Sequence, residues 1–576
     1  METGALVAYC DDVKILGPPR VALAAYRRLR CLARRALNLT EVPRKGSVVW
    51  EGRGTPDLRG FPPAMPGVPS RVTHDRHLGV FIGDSRPESV AAVKAALQAK
   101  LEEKAKVVSR FHLLSDPEVK FQLLRCCIST RPGYWMRTMP PSLTLDAATW
   151  FDSQVRQALS GITLRDLPER AWKLASLPFT LGGLGITSAV ESRHAAYLGS
   201  WHASFGNILQ MAPAITQVTA LDVATSHPLS LPFARELQEA DAVITAARAK
   251  LDSNSALPLP HAAPTQPNTP ALNDIGTPTS HAQKRFASVV NSARWVEVYE
   301  SSDAPAKARL VSGSQQGARA AFAAIPRGED RMSALSFVTA LQLCLRLPLS
   351  VLDQVAGRVC PVTGAAVDCH GDGLLRKTAF QEYRTEGHDL VQRVVVWMLR
   401  TAKFSINHHH KDRRRPAWSP NHCPDLTLAH QSEAGSHILI DVTTVATVCL
   451  SVLRGAAFGV CHAAGVAETT KYQCYGDVNP HVVVPFAVED GGALGKEARR
   501  LFFTCRDRCA NKLLAADDDA ASWSSRGFSN FFFQKFSRAN LKGLAHFFQR
   551  AASVVEGNLA GRGGARGGVR GGVRGA

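Results

Sequence analysis

Residues 423–445, CPDLTLAHQSEAGSHILIDVTTV, contain two short apolar runs, and each run carries one aspartate. The first run, DLTL, begins at Asp425, and the second, HILIDVTTV, has Asp441 near its centre. Their short length and β-branched residues predict two strands. A charge inside a buried strand is costly unless it is paired or binds a metal ion. If the strands are antiparallel neighbours, the two carboxylates could meet at one metal ion.

Basic residues flank this pair of runs on both sides. Lys471, in TTKY (469–472), could stabilise a phosphate or orient a water molecule. A further apolar run, HVVVPFAVE (481–489), predicts another strand, with a basic helix after it. Upstream, INHHHKDRRRP (406–416) places Arg413, Arg414 and Arg415 where they could hold a DNA backbone. The alternative for this basic run is a solvated surface.

The region resembles the restriction-enzyme-like endonuclease at the C-terminus of site-specific non-LTR retrotransposons, a group that includes the SLACS-like elements of trypanosomatids. Asp425 and Asp441 match the two acids of the family pattern, at a slightly long spacing. Thr443 stands where simpler nucleases carry a lysine, so the resemblance assigns that role to Lys471. It implies DNA cleavage with Mg²⁺ (or Mn²⁺) bound by the two aspartates. The residues alone leave open a hairpin with a solvent-facing Asp425 and with Asp441 paired to an arginine.

A second carboxylate pair lies at the start of the chain, in METGALVAYCDDVKILGPP. The runs LVAY and VKIL predict a hairpin with Asp11 and Asp12 at its tip. Carboxylate oxygens suit Mg²⁺, and paired metal ions can drive an in-line phosphoryl displacement. The alternative is an ordinary Asp-rich turn.

This stretch resembles the Y-x-D-D box of reverse transcriptases, and four later segments follow in the family's order. Residues 36–50, ALNLTEVPRKGSVVW, resemble the L-N-x-x-K element, with Lys45 at the basic position. HLGVFIG (77–83) resembles the Leu-Gly turn that grips the primer. RPGYWMRTMPPS (131–142) and LPFTLGGLGI (177–186) resemble thumb and post-thumb motifs. The resemblance implies that Asp11 and Asp12 are catalytic metal ligands of an RNA-directed DNA polymerase.

The family's polymerase site also needs a third aspartate, on an earlier strand of the palm. Only eight residues precede Tyr9, and they do not supply it. We therefore expect a truncated reading frame or the C-terminal part of a longer polyprotein. We expect no DNA synthesis by this chain alone.

The charge of the chain indicates a polyanionic partner. Among 576 residues, 68 are Lys or Arg and 49 are Asp or Glu, which gives a net charge of +19. Neutralising phosphates releases counterions, so this surplus of basic residues favours RNA and genomic DNA over a small-molecule substrate. The alternative explanations for the charge are solubility and a compositional bias toward Arg and Ala.

The 13 cysteines lack a disulfide-framework spacing, which indicates reduced thiols in the cytosol or nucleus. We expect a nuclear protein without a membrane span or signal peptide, and the sequence leaves open a homodimer.

Residues 360–377, CPVTGAAVDCHGDGLLRK, contain a cluster of cysteine and histidine. A structural zinc site wants four nitrogen or sulfur ligands. In the retroelements that this region resembles, the pattern is C-x-x-C, then His, then Cys, and here Thr363 and Lys377 stand at two of those positions. The candidate Zn²⁺ ligands are Cys360, Cys369, His370 and His388. The alternative is a degraded knuckle with ordinary core thiols.

The last residues, GRGGARGGVRGGVRGA, place Arg562, Arg566, Arg570 and Arg574 at a spacing of four. Glycine at this density cannot bury a core, so we expect a disordered tail. Arginine stacks on bases and pairs with phosphates, which favours an RGG-type RNA-binding tail over a neutral low-complexity end.

Together these patterns predict an α+β multidomain chain. An Arg-rich amphipathic helix over 20–36 contacts the template–primer backbone or is a solvated face. The expected regions are a truncated palm (1–84), a helical thumb and connection (85–250), a disordered linker (251–283), a helical segment (284–358), the degraded Cys/His segment (359–390), an α/β restriction-endonuclease-like domain (391–550) and the RGG tail (551–576). The leading hypothesis is a retroelement enzyme fragment that still nicks target DNA. The alternative is a catalytically dead remnant that only binds RNA or DNA.

Overall fold

The structure is a computed structural model of the chain. It describes residues 5–9, 12–16, 18–37, 59, 74–77, 80–83, 87–211, 232–259, 281–328, 331–376, 380–408, 424–429, 437–476, 482–513 and 525–557. Most of these residues are helical, and their strands form two hairpins and one mixed sheet. This agrees with the predicted α+β class.

Two antiparallel hairpins and one helix make up the N-terminal part. Strands β1 (Ala5–Tyr9) and β2 (Asp12–Leu16) pair with Tyr9 opposite Asp12, which confirms the first predicted hairpin. Helix α1 (Pro19–Leu37) follows and confirms the helix predicted over 20–36. Strands β3 (His74–His77) and β4 (Val80–Gly83) pair in a second hairpin, and the predicted Leu-Gly turn, Leu78 and Gly79, lies outside the described ranges.

A helical body follows the hairpins. Its helices are α2 (Pro87–Ala105), α3 (Pro117–Leu123), α4 (Gly133–Thr138), α5 (Pro141–Thr163), α6 (Glu169–Ala175) and α7 (Ala189–Met211). Leu97, Phe121 and Phe151 are buried in their shared core. The same core takes in Trp295 and Phe337, which lie beyond the expected linker. Helical residues on both sides of that linker therefore pack together.

The middle of the chain continues this helical body. It contains α8 (Pro232–Ser253), α9 (Ala282–Glu300), α10 (Ala304–Gly313), α11 (Ala334–Leu345) and the short α12 (Asp372–Leu375). Helix α8 extends into the segment expected as a linker, and Leu257 and Leu259 pack against the core. The remaining linker residues 260–280 lie outside the described ranges.

The C-terminal region is built on a four-stranded mixed sheet. Its elements are α13 (Gln381–Thr401), β5 (Ile406–His408), β6 (Leu426–Ala429), β7 (His437–Val445), α14 (Leu450–Phe458), α15 (His462–Cys474), β8 (Val482–Glu489), α16 (Lys496–Arg508) and α17 (Phe528–Val555). The strand order is β5-β6-β7-β8. The first three strands are antiparallel neighbours, and β8 runs parallel to β7 after a crossover through α14 and α15.

Helix α17 joins the sheet to the helical body. Its phenylalanines pack with Phe486 of β8 and Phe502 of α16, and the rings of Phe502 and Phe533 stack at 4.3 Å. Further along α17, Arg538 forms a buried ion pair with Glu118 of α3. Breaking one partner of such a pair costs roughly 3–5 kcal/mol, so this contact fixes α17 against the helical body. None of the described helices is long and apolar enough to cross a membrane.

Candidate active site

Strands β6 and β7 bring the two predicted aspartates together. Leu426 lies opposite Ile440, and extending that antiparallel register by one residue places Asp425 opposite Asp441. Each aspartate is only 8% exposed. The predicted pair of neighbouring strands is therefore confirmed. The alternative with a solvent-facing Asp425 is wrong, because the pairing draws this residue into the sheet.

Asp425 is held by the backbone of β7 and by a histidine of α13. Its Oδ2 accepts a hydrogen bond from the N–H of Val442 at 2.8 Å and lies 3.2 Å from Nε2 of His388. The other ring nitrogen of His388 lies 3.2 Å from Asp389 Oδ1. Burial alone would lower the pKa of His388, but the two carboxylates outweigh it and raise this pKa to about 9. His388 is therefore a cation at neutral pH and offsets the charge of Asp425.

Asp441 is held by two side chains from the end of α15. Lys471 Nζ lies 2.9 Å from Oδ1, and the Tyr475 hydroxyl donates to Oδ2 at 2.7 Å. Burial raises the pKa of Asp441 and Asp425 adds to the rise, whereas Lys471 and Tyr475 act against it. The partner of Asp441 is thus a lysine, not the arginine that the hairpin alternative contained. The lysine chosen by the resemblance lies at the carboxylate pair.

Two buried glutamates fix helix α15, which supplies Lys471 and Tyr475. Glu489, at the end of β8, accepts a hydrogen bond from the N–H of Ala464 in the first turn of α15 at 3.0 Å. Burial raises the pKa of Glu489 to about 7. Glu468, within α15, accepts from the N–H of Glu497 in α16 at 3.1 Å. Carboxylates at helix N-termini are stabilising, so these contacts define where Lys471 projects.

A glycine contact fixes helix α13, which supplies His388. Gly387 meets Gly543 of α17, and a Cβ on Gly543 would lie 2.5 Å from the Gly387 Cα. Only glycine permits this approach of the two helix backbones. The close crossing sets the position of His388, the next residue along α13.

The donor set of the pair suits a hard divalent cation. Asp425 and Asp441 offer carboxylate oxygens, which Mg²⁺ and Mn²⁺ prefer. Among the described residues, no group of three or more His, Cys, Asp or Glu side chains has the arrangement of a complete metal site. A cation here would therefore take its other ligands from water or from a phosphate, as Mg²⁺ commonly does.

The other predicted site residues are distributed as follows. Asp12 begins β2, opposite Tyr9. The remaining predicted nucleic-acid-binding and palm residues lie outside the described ranges: Asp11, Lys45, Arg413, Arg414, Arg415, Arg562, Arg566, Arg570 and Arg574. All six arginines of α1 are exposed: Arg20, Arg27, Arg28, Arg30, Arg34 and Arg35.

The candidate zinc ligands occupy different environments. Cys360 is fully buried in an apolar cluster that includes Leu352 and Phe380. Cys369 is exposed, and Nδ1 of His370 lies 3.3 Å from the Leu347 carbonyl oxygen. His388 lies at Asp425, in the carboxylate site.

The two thumb-like motifs contribute to the core of the helical body. Trp135 and Met136 of RPGYWM are buried there. In LPFTLGGLGI, a Cβ on Gly183 would lie 2.0 Å from the Leu177 carbonyl oxygen, so this turn requires glycine. Arg319 donates to the Gly182 carbonyl oxygen at 3.2 Å.

Three residues of the carboxylate site escaped the sequence reasoning. The sequence groups His388 with the cysteine cluster, because 37 residues separate it from Asp425 and no local pattern joins them. Tyr475 could have been found, because it follows Lys471 by four residues and such neighbours share a helix face. For Glu489, the sequence indicates only that the residue ends a predicted strand.

No protein-family model matches the chain, and no curated protein gives a significant match.

Proposed function

We propose that the C-terminal region is a metal-dependent DNA endonuclease within a retrotransposon-derived protein of the reverse transcriptase family. It nicks target DNA, and the freed 3′-hydroxyl serves target-primed reverse transcription. The observation that carries this proposal is the meeting of Asp425, Asp441 and Lys471 at the centre of the sheet. Burying charged side chains costs free energy, and metal-dependent phosphodiester hydrolysis requires carboxylates that bind the cation.

Each side chain has a defined role in this reaction. Asp425 and Asp441 would hold the divalent cation, which would supply charge stabilisation at the phosphate and a more acidic water. A water oxygen attacks the phosphorus and releases its proton to solvent, the P–O3′ bond breaks, and the leaving 3′ oxygen takes up a proton from solvent, which gives a 5′-phosphate and a 3′-hydroxyl. Lys471 stabilises the negative charge that develops on the phosphate oxygens. His388 and Tyr475 hold the two carboxylates in place.

The N-terminal part supports the other half of the proposal, a reverse transcriptase palm and thumb. The β1–β2 hairpin, the β3–β4 hairpin and the helical body follow in the order of the resembling motifs. The exposed arginines of α1 and the charge of +19 favour RNA and DNA as partners in the nucleus.

The test is nicking of supercoiled plasmid by the purified chain with Mg²⁺ or Mn²⁺, beside the Asp441→Asn variant. Nicking that requires the metal ion and is lost in the variant supports the endonuclease. A target-bearing plasmid is included, because such enzymes are expected to be site-specific.

A second candidate is a remnant that binds nucleic acid without cutting it. The exposed arginine face of α1 and the replaced ligands Thr363 and Lys377 favour this alternative. Intact gel-shift binding without nicking on either plasmid would support it.

A further inference from the structure

Helices α15 and α16 carry an exposed tyrosine and an exposed arginine close in sequence to groups of the site. Tyr472 follows Lys471 on α15 and is 43% exposed. It lies one helical turn after Glu468, which accepts from the Glu497 N–H, so it faces the first turns of α16. There Arg500 extends into solvent with its side chain 80% exposed and Nη1 3.7 Å from Glu497 Oε2.

Charged side chains of α15 and α16 act on the Tyr472 hydroxyl. Burial and the carboxylates of Glu497 and Glu468 raise the pKa of Tyr472, and Arg500 acts in the opposite direction. Lys496 is exposed in the first turn of α16. Cations attract the phosphates of a DNA strand and an exposed aromatic ring can stack on a base, and these three side chains offer both.

We propose that Tyr472, Lys496 and Arg500 form the DNA-contact surface beside the scissile phosphate, with one unpaired base stacked on Tyr472 and phosphates on the two cations. This inference rests on the proposed nuclease and names its substrate contact. Aromatic stacking contributes to single-strand binding for any base, so the surface favours DNA that is locally unpaired.

The experiment measures binding without cleavage. The full chain carrying Asp441→Asn is titrated in EDTA with a fluorescent DNA duplex that contains a short single-stranded gap. Adding Tyr472→Ala should weaken binding about fivefold or more, whereas Tyr472→Phe should keep it. Adding Arg500→Ala should reduce the slope of log affinity against log salt concentration by about 0.7–0.9.

The matched control is Arg235→Ala, on α8. Arg235 is 81% exposed and pairs with Glu239 one turn away, as Arg500 does with Glu497. The proposal is overturned if Tyr472→Ala and Arg500→Ala bind the gapped duplex as Arg235→Ala does. Because the readout is binding in EDTA, this outcome is distinct from a failure to nick.

A different observation concerns residues 357–376, where the zinc pattern has lost ligands. The Cys360 carbonyl accepts from the Gly364 N–H at 2.8 Å, and the Cys360 N–H donates to Ala365 at 2.9 Å. Thr363 Oγ1 accepts from the Ala365 N–H at 3.4 Å. The turn is therefore closed by its own backbone and by the threonine at a former ligand position. The Cys360 side chain is taken up in apolar packing.

Two carboxylates hold the second half of this segment. Asp368 accepts from the N–H groups of His370, Asp372 and Gly373, at 3.0, 3.1 and 2.7 Å. Burial opposes ionisation of Asp368, but these donors outweigh it and lower its pKa. Asp372 forms buried ion pairs with Arg309 and Arg346, at 2.9 and 2.8 Å.

The same network reaches the sheet. Arg309 Nε lies 3.5 Å from Asp490, whose Oδ1 accepts from the N–H of Thr447 at 2.9 Å. Thr447 follows strand β7, so the chain of contacts runs from the cysteine segment to the strand that carries Asp441. The residues present thus do not fit a four-ligand zinc site. Backbone hydrogen bonds and buried ion pairs hold the segment in place.

We infer that this segment folds without zinc and that Asp368 and Asp372 provide the fixing that zinc gives in related retroelements. The full chain, expressed with added zinc, should contain no stoichiometric zinc by elemental analysis. EDTA should leave its thermal unfolding midpoint unchanged, and Cys360→Ala should lower it only slightly.

The carboxylate variants give the opposite result. Asp372→Asn removes the carboxylate charge that two buried arginines share, which leaves Arg309 with Asp490 and Arg346 with Asp303, and should lower the midpoint by about 5 °C or more. Asp368→Asn loses its charge at a half-buried position and should lower the unfolding midpoint less than Asp372→Asn does. It replaces Asp372→Asn as the test if that variant does not fold. One equivalent of tightly bound zinc, with a midpoint that EDTA lowers, would overturn the inference.

Discussion

Lys471 reaches Asp441 from a different element, with its Nζ 2.9 Å from Oδ1. The lysine lies 30 residues after the aspartate and arrives by way of the crossover helix α15. This contact joins the one basic group and one of the two acids that the proposed chemistry needs. It makes the geometry of α15 part of the active site.

Lys471 is the first position to test. Lys471→Met should lower the nicking rate by about 100-fold or more, because it removes the cation that stabilises the phosphate. Lys471→Arg, which keeps a positive charge, should retain more activity. Equal rates for wild type and Lys471→Met in a plasmid-nicking time course would remove Lys471 from the mechanism.

His388 is expected to act through Asp425. His388→Ala removes the imidazole that faces Asp425 Oδ2, so the carboxylate should be less well positioned for the cation. We expect about tenfold or more loss of Mn²⁺ affinity, measured by electron paramagnetic resonance, with a matching rise in the Mn²⁺ concentration needed for nicking. His546→Ala is the control, because its ring pairs with Glu386, which lies two residues before His388, and residues two apart do not share a helix face. Unchanged Mn²⁺ affinity in His388→Ala would contradict this role.

The Gly387–Gly543 crossing sets the position of α13. Gly543→Ala should destabilise the fold by about 1–3 kcal/mol in urea unfolding, because its Cβ would lie 2.5 Å from the Gly387 Cα. The matched control is Gly465→Ala in α15, where a Cβ meets no neighbouring atom within 4 Å. Alanine favours a helix by up to about 1 kcal/mol over glycine, so the control should be neutral or stabilising. Equal effects of the two substitutions would contradict the close crossing.

Glu489 predicts a pH dependence of stability. Its pKa is about 7 in the folded chain, against an ordinary value of 4.5. At a pH between these two pKa values, the Glu489 carboxyl is deprotonated in the unfolded chain and protonated in the folded chain. Stability is therefore full below pH 4.5 and falls as pH rises to about 7, by about 3 kcal/mol at most.

Glu489→Gln carries no titrating proton and should lack this fall. The measurement is the difference in urea unfolding free energy between variant and wild type from pH 4.5 to 8. The difference should shift in favour of the variant as pH rises. A constant difference across this range would contradict the assignment.

The strands and acids of the site could be predicted from the sequence because their signals are local. Two short apolar runs, each with one aspartate, predict strands with Asp425 immediately before β6 and Asp441 within β7. The α1 helix and the first hairpin followed in the same way from the periodicity of neighbouring residues. Lys471 came from a family resemblance, since nothing local ties it to Asp441.

The partners that complete the site could not be predicted, because they depend on packing between distant segments. His388 reaches Asp425 only after α13 crosses α17 at Gly387 and Gly543, which are 156 positions apart in the chain. In sequence alone, a histidine near two cysteines is a more natural zinc ligand than a partner of an aspartate. Sequence patterns also place the helices before and after the linker in separate regions. In the structure, tertiary packing joins these helices in one core.

The most direct test of the central claim is the chemistry of the nick. Supercoiled target-bearing plasmid is incubated with the chain and Mg²⁺, and the nicked product is then treated with DNA ligase. Hydrolysis by the Asp425–Asp441 site predicts nicks with a 3′-hydroxyl and a 5′-phosphate, which ligase reseals, and no nicks with Asp441→Asn. Nicks that persist in Asp441→Asn, or none with the wild type, would contradict the account.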